Sequence, residues 1–96
     1  AELNEEAKFV LHDLAKVLNA HTDIKLTIKG HTSAEGDAAF NQKLSEARAK
    51  AAVDFLVERE GVAVEQLSYA GMGSSELKNT DNPMAPENRR TEFIIE

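Results

Sequence analysis

Residues 24–61 read IKLTIKGHTSAEGDAAFNQKLSEARAKAAVDFLVEREG, and this stretch decides the fold. Its opening alternates: Ile24, Leu26 and Ile28 point one way, Lys25, Thr27 and Lys29 the other. That period of two marks a strand over Ile24–Lys29 with one buried face, ended by Gly30. GHTSAEGD then makes a polar turn, in which Gly30 and Gly36 serve as turn glycines. From Asp37 to Glu60 the period becomes helical. Phe40, Leu44, Ala47, Ala51, Phe55 and Leu56 form one face, with Val53 at its border. Phe40 is accordingly expected in the core. Ser45 is a good capping residue, which predicts a short turn over Ala38–Leu44 and the main helix from Ser45 onward. Gly61 terminates that helix.

The flanks extend the pattern. Upstream, Leu3, Ala7, Val10, Leu11, Leu14, Val17 and Leu18 recur at helical steps, predicting an amphipathic helix over Asn4–Asn19. Asn4 suits the N-cap, and Glu5 and Glu6 suit the positive end of the helix dipole. Downstream, the link VAVEQ leads to a second strand, Leu67–Ala70. The segment GMGSSELKNTDNPMAPENRR is rich in Gly, Ser, Asn and Pro and reads as a loop, longer than most connections and of a length that often carries function. Arg90–Ile95 closes as a final alternating strand. Helix, strand, helix, strand, loop, strand predicts one α/β (α+β) domain over residues 1–96. It is a two-layer sandwich with both helices on one face of a small mixed sheet, and the strand–helix–strand crossover makes its two strands parallel. Three strands make a thin sheet, so a further edge strand is expected before Ala1.

Composition narrows the function. Eleven Lys and Arg against seventeen Asp and Glu leave a net charge of −6 in 96 residues. An acidic balance argues against a duplex nucleic-acid reader, which needs a basic face to displace counterions. The absence of Cys excludes disulfides, thiolate metal sites and a Cys nucleophile. No apolar run is long enough to span a membrane, and the acidic start AELNEEAKFV is unlike a signal peptide.

Catalytic chemistry finds little support. His31 lies four residues from Glu35 and six from Asp37, but a metal site wants more than one imidazole beside a carboxylate. His31 is expected instead to hydrogen-bond within the loop that leaves its strand. No nucleophile turn of the hydrolase type is present. No catalytic group, metal or cofactor is expected. The basic residues point further. Arg48 sits early in the Ser45 helix and Arg89–Arg90 precede the last strand. A guanidinium beside helix N-terminal amides would make an anion pocket at the strand ends. The competing reading of each Arg is an ordinary ion pair with one of the many acids.

Gly30, His31, Thr32, Gly36, Phe40, Asn41, Leu44, Ser45, Arg48, Ala49, Gly71, Gly73, Asn88, Arg89 and Arg90 stand at fixed spacings. They resemble the pattern G-H-T-D-x-x-G-x-x-x-Y/F-N-x-x-L-S-x-x-R-A, then G-x-G, then N-R-R. That is the pattern of the OmpA-like C-terminal domain family, and the resemblance runs from about Leu3 to Glu96. The family is the periplasmic peptidoglycan-binding module of outer-membrane porin-type proteins, peptidoglycan-associated lipoproteins and flagellar stator proteins. The resemblance implies a βαβαβ-type fold lacking its first strand here. It also implies non-covalent binding of the peptidoglycan stem peptide, anchoring a parent outer-membrane protein or lipoprotein to the wall from the periplasm.

By the same resemblance, the Asp after G-H-T accepts the ammonium of diaminopimelate and the Arg of R-A clamps a carboxylate. Bidentate guanidinium–carboxylate pairing orients as well as attracts. Arg48 keeps its place, whereas Ser33 stands where the family has Asp. Thr32 and Asn41 fall at the pocket edge, and one of Arg89 and Arg90 faces the ligand while the other packs. A hydroxyl brings no charge, and a hydrogen bond to a charged group is worth about 1.5–3 kcal/mol, so Ser33 should weaken ammonium capture unless Glu35 supplies the acid. The alternative is a domain of the same fold with a structural or assembly role and weakened wall binding.

Overall fold

The computed structural model describes residues 3–96. Helix α1 (Glu5–Ala20) begins where expected: the Asn4 side chain accepts from the Ala7 amide at 2.7 Å. Strand β1 (Leu26–His31) starts and ends two residues later than its alternation suggested. Helix α2 (Ala38–Glu58) follows, then strand β2 (Leu67–Gly71) after a 3₁₀ turn, and strand β3 (Arg90–Ile95) after the long loop. The sheet order is β2-β1-β3, with β1 parallel to β2 and antiparallel to β3. This is the mixed three-stranded sheet with two helices that the sequence predicts. Among the described residues, no helix is long and apolar enough to cross a membrane.

The core forms between the helices and one side of β1. Leu26 and Ile28 meet Leu11, Ala15 and Leu18 of α1 and Ala49, Ala52, Val53 and Leu56 of α2. Across the other face, Thr27 and Ser68 hydroxyls bond at 2.8 Å, as the pleat requires for residues one step out of phase with Leu26 and Ile28.

Two expectations about α2 fail for one reason. The helix does not start at Ser45. Asp37 caps it, accepting from the Phe40 amide at 2.8 Å, and the helix runs unbroken through Ser45. Ser45 bonds back to the Gln42 carbonyl at 2.8 Å and accepts from the Gly73 amide at 2.9 Å. Its hydroxyl therefore ties the helix to the loop after β2 instead of capping. The buried stripe is accordingly Asn41, Ser45, Ala49, Ala52, Val53 and Leu56. Phe40 is rotated off that stripe and lies 63% exposed. Gly61 does terminate α2, at φ 70°, and the Val62 amide returns to the Leu56 carbonyl at 3.0 Å.

Gly30 is not a turn glycine. It lies within β1, directly opposite Gly71 of β2, and the backbone of α2 passes over both. Gly36, at φ 86°, is one.

The long loop is pinned rather than loose. Thr32 N donates to the Gly73 carbonyl at 2.7 Å and Ala34 N to the Pro83 carbonyl at 2.8 Å. Asn88 is fully buried. Its Oδ1 accepts from Asn79 N at 2.7 Å, and its Nδ2 lies 3.1–3.2 Å from the carbonyls of Asn79, Asn82 and Pro83. A buried amide thus satisfies the backbone groups of a segment with no ladder of its own.

Candidate functional site

Arg48 projects from the middle of α2, and Arg89 from the residue immediately before β3. Both line one cleft of about 550 Å³. Its other walls include Asn4 and Glu6 from the start of α1, and Thr91 and Phe93 from β3. Because α2 begins at Ala38, the α2 N-terminal amides expected beside Arg48 lie well upstream of it. Among the described residues, Arg48 has no acidic ion-pair partner. Arg89 Nη1 stands 3.9 Å from Glu35 Oε2, with both side chains largely exposed. Two guanidinium groups sharing a cleft with, among the described residues, one Glu make a place for a carboxylate, with a counter-charge at hand for a cationic group.

The two consecutive arginines divide their roles. Arg90 is spent inside the protein: it donates to the Asn88 carbonyl at 3.3 Å, the Glu76 carbonyl at 3.0 Å and Glu92 Oε1 at 3.3 Å. Arg89 keeps its head in the cleft. Strand alternation separates them, since neighbours on a strand point to opposite faces.

The remaining expected residues do not line the cleft. Ser33 is 3% exposed and does not line the cleft. Asn41 uses its amide on the loop, donating to the Glu35 carbonyl at 2.8 Å and approaching the Ser33 carbonyl at 3.4 Å. Thr32 is buried too, and its Oγ1 has no hydrogen-bond partner among the described residues. These three shape the loop that carries Glu35 toward Arg89. The structure thus joins Arg48 with Arg89, and Glu35 with Arg89, while Thr32, Ser33 and Asn41 form a separate buried layer. Glu6 was legible only as a helix-dipole residue, because it shares the cleft with Arg48 through the packing of distant segments, which leaves no local signal.

With this geometry in hand, similarity to known proteins becomes decisive. Residues 1–91 match the OmpA family. The chain belongs to the OmpA family. It is 34% identical over 99 residues to outer membrane porin F of Pseudomonas aeruginosa, covering 100% of this chain and 28% of that protein. It is 35% identical over 88 residues to the peptidoglycan-binding protein ArfA of Mycobacterium tuberculosis, covering 90% of this chain and 27% of that protein. Among solved structures, the OmpA-like domain of FopA1 from Francisella tularensis matches with a TM-score of 0.84 and 26% identity over 97% of this chain and 63% of the other. The chain thus spans little more than a quarter of the first two relatives, and what it shares with them is this one OmpA-family domain.

Proposed function

We propose that this OmpA-family domain binds peptidoglycan non-covalently through its stem peptide, from the periplasm, and so anchors a parent outer-membrane protein or lipoprotein to the wall. The observation that carries the reading is the shared cleft of Arg48 and Arg89. A guanidinium without an internal partner is held ready for a carboxylate, and a second beside it fixes direction. Membership of the OmpA family supports the choice of ligand, as does the similarity to ArfA, a peptidoglycan-binding protein. The stem residue that fits is a zwitterion of the diaminopimelate type. Its carboxylate meets Arg48, and its ammonium meets Glu35 or Glu6 in place of the missing Asp.

A second reading rests on Ser33. A buried, uncharged residue where the family pattern has Asp favours a domain that keeps the fold for structural or assembly purposes and binds the wall weakly. One titration separates the two. A diaminopimelate-containing muropeptide added to the ¹⁵N-labelled domain should shift resonances around Arg48 and Arg89, and Arg48→Ala should abolish those shifts. Absence of binding at about 1 mM ligand, an affinity near −4 kcal/mol, would remove the first reading. A gain of about tenfold in Ser33→Asp, the size expected when a neutral acceptor becomes charged, would assign the weakness to that residue.

A further inference from the structure

His31 is the least satisfied buried side chain away from the cleft. Its ring is 0% exposed, yet neither Nδ1 nor Nε2 has a hydrogen-bond partner among the described residues. The expected bonds within its own loop are not made, because His31 belongs to β1 and not to the turn after it. β1 sets His31 opposite Arg90 of β3, so Glu92, two residues along, shares its face. The loop leaving β2 brings Glu76 to the same place. Glu92 Oε1 comes to 2.5 Å from His31 Nε2, so this nitrogen faces a carboxylate directly. One ligand atom from each of His31, Glu76 and Glu92 lies within 4.8 Å of the others.

We propose that His31, Glu76 and Glu92 bind a divalent transition-metal ion of the zinc class. Imidazole nitrogen and carboxylate oxygen are both zinc donors, whereas calcium and magnesium prefer oxygen alone; with one imidazole where the usual zinc sites have more nitrogen or sulfur, the site is a weak one. Ligand atoms bound tetrahedrally at about 2.0–2.1 Å stand roughly 3.3 Å apart, so the cluster needs only a small closure and spreading. Glu76 and Glu92 can supply it, since their side chains remain 48% and 42% exposed. The same exposure gives the ion a route from solvent and leaves a fourth position for water. The metal would sit between a buried imidazole nitrogen and the carboxylate that faces it.

Two features hold the affinity down. Lys29 Nζ lies 3.8 Å from Glu76 Oε1, and Arg90 Nη2 lies 3.3 Å from Glu92 Oε1, so both cations compete for the carboxylates. His31 Nδ1 also lacks the outer acceptor that usually strengthens an imidazole ligand, a partner worth about 10–100-fold in affinity. Binding should therefore fall near the micromolar range, well short of a structural zinc finger.

The test is calorimetric titration of the purified domain with zinc chloride, with the three imidazoles followed by ¹H–¹⁵N NMR. One saturable site with the ring shift confined to His31 is expected. Glu76→Gln, in an exposed loop position, should weaken binding at least about tenfold while leaving the amide spectrum folded, as loss of one ligand demands. His31→Gln should abolish binding if it folds, and the Glu76→Gln result stands if it does not. A double His12→Ala/His21→Ala variant should bind as the parent does. The proposal is overturned by no heat at about 1 mM zinc, by shifts at His12 or His21 alone, or by Glu76→Gln binding as tightly as the parent. The first of these outcomes leaves the Arg48 cleft untouched, since the muropeptide titration reads a different surface.

Discussion

Gly30 of β1 passes so close beneath the backbone of Ser45 in α2 that a Cβ there would collide with the Ser45 carbonyl. Its register partner Gly71 is pressed in the same way against the backbone of Glu46. Two hydrogen atoms, side by side on neighbouring strands, therefore let the helix descend onto the sheet. Arg48 stands three residues beyond Ser45, so this close approach sets how far the guanidinium stands above the strands.

Gly30→Ala and Gly71→Ala should each destabilise the domain by about 1–3 kcal/mol, the range for forcing volume into a packed site. Urea unfolding reads this directly. Gly36→Ala is the contrast: nothing lies near its missing Cβ, but φ 86° strains any L side chain, which costs about 1 kcal/mol. A Gly30→Ala domain as stable as the parent would contradict the contact.

Arg48→Ala and Arg90→Ala should fail in opposite ways. Arg48 makes no ion pair among the described residues, so its loss should leave the unfolding midpoint within about 0.5 kcal/mol of the parent and remove muropeptide binding. Arg90 ties the Asn88 and Glu76 carbonyls to Glu92. Its loss should lower stability by about 1–3 kcal/mol, as for unmet hydrogen bonds to a charged group. Paired melts and titrations of both variants check the division.

Much of this was legible in the sequence, and the misses have physical causes. β3 was read with its bounds because alternation over Arg90–Ile95 is a local signal. Asn4 was read as a cap because the capping bond spans three residues. Ser45 was misread because serine favours a cap and a back-bond alike, and the choice between them is made by Gly73, far along the chain. Phe40 was misplaced because the buried stripe of α2 contains Asn41 and Ser45, polar residues that apolar periodicity does not count. Arg48 and Arg89 stand out locally by their motif spacing, whereas Glu6 and the meeting of His31 with Glu92 depend on the packing of distant segments.

Gln66 illustrates the same point and can be tested alone. The sequence offers it as part of a plain link, yet it is 4% exposed, and its Nε2 reaches the carbonyls of Leu18, His21 and Ile24 at 2.9, 3.2 and 3.0 Å. It closes the C-terminal end of α1, whose last carbonyls have no helical partner. Gln66→Leu should cost about 1–3 kcal/mol through those unmet acceptors. Hydrogen exchange should speed up over the last turn of α1 and leave α2 protected.

Glu87 supplies a pH dependence. Its own backbone amide, then the Asn79 side chain, bond its carboxylate and hold it below the ordinary glutamate value of 4.5. A lowered folded value means the contribution is complete above the unfolded value and is lost as pH falls through the folded one. The side chain is solvent-exposed, so the effect on global stability is small. Carboxyl-carbon NMR should find Glu87 titrating at lower pH in the folded chain than in urea, and Asn79→Ala should move it back up. Identical midpoints in both states would contradict the assignment.

Asn88 gives the cleft its readiness. By gathering four backbone groups of the preceding segment around one amide, it fixes the chain immediately before Arg89. A guanidinium on a wandering tether would have to surrender that freedom upon each encounter, and the loss would be subtracted from the affinity. Here the sacrifice was made during folding. On the proposed reading, Arg89 would meet its ligand from a backbone already fixed, which would help a modest pair of charges on a small domain to hold a flexible polymer.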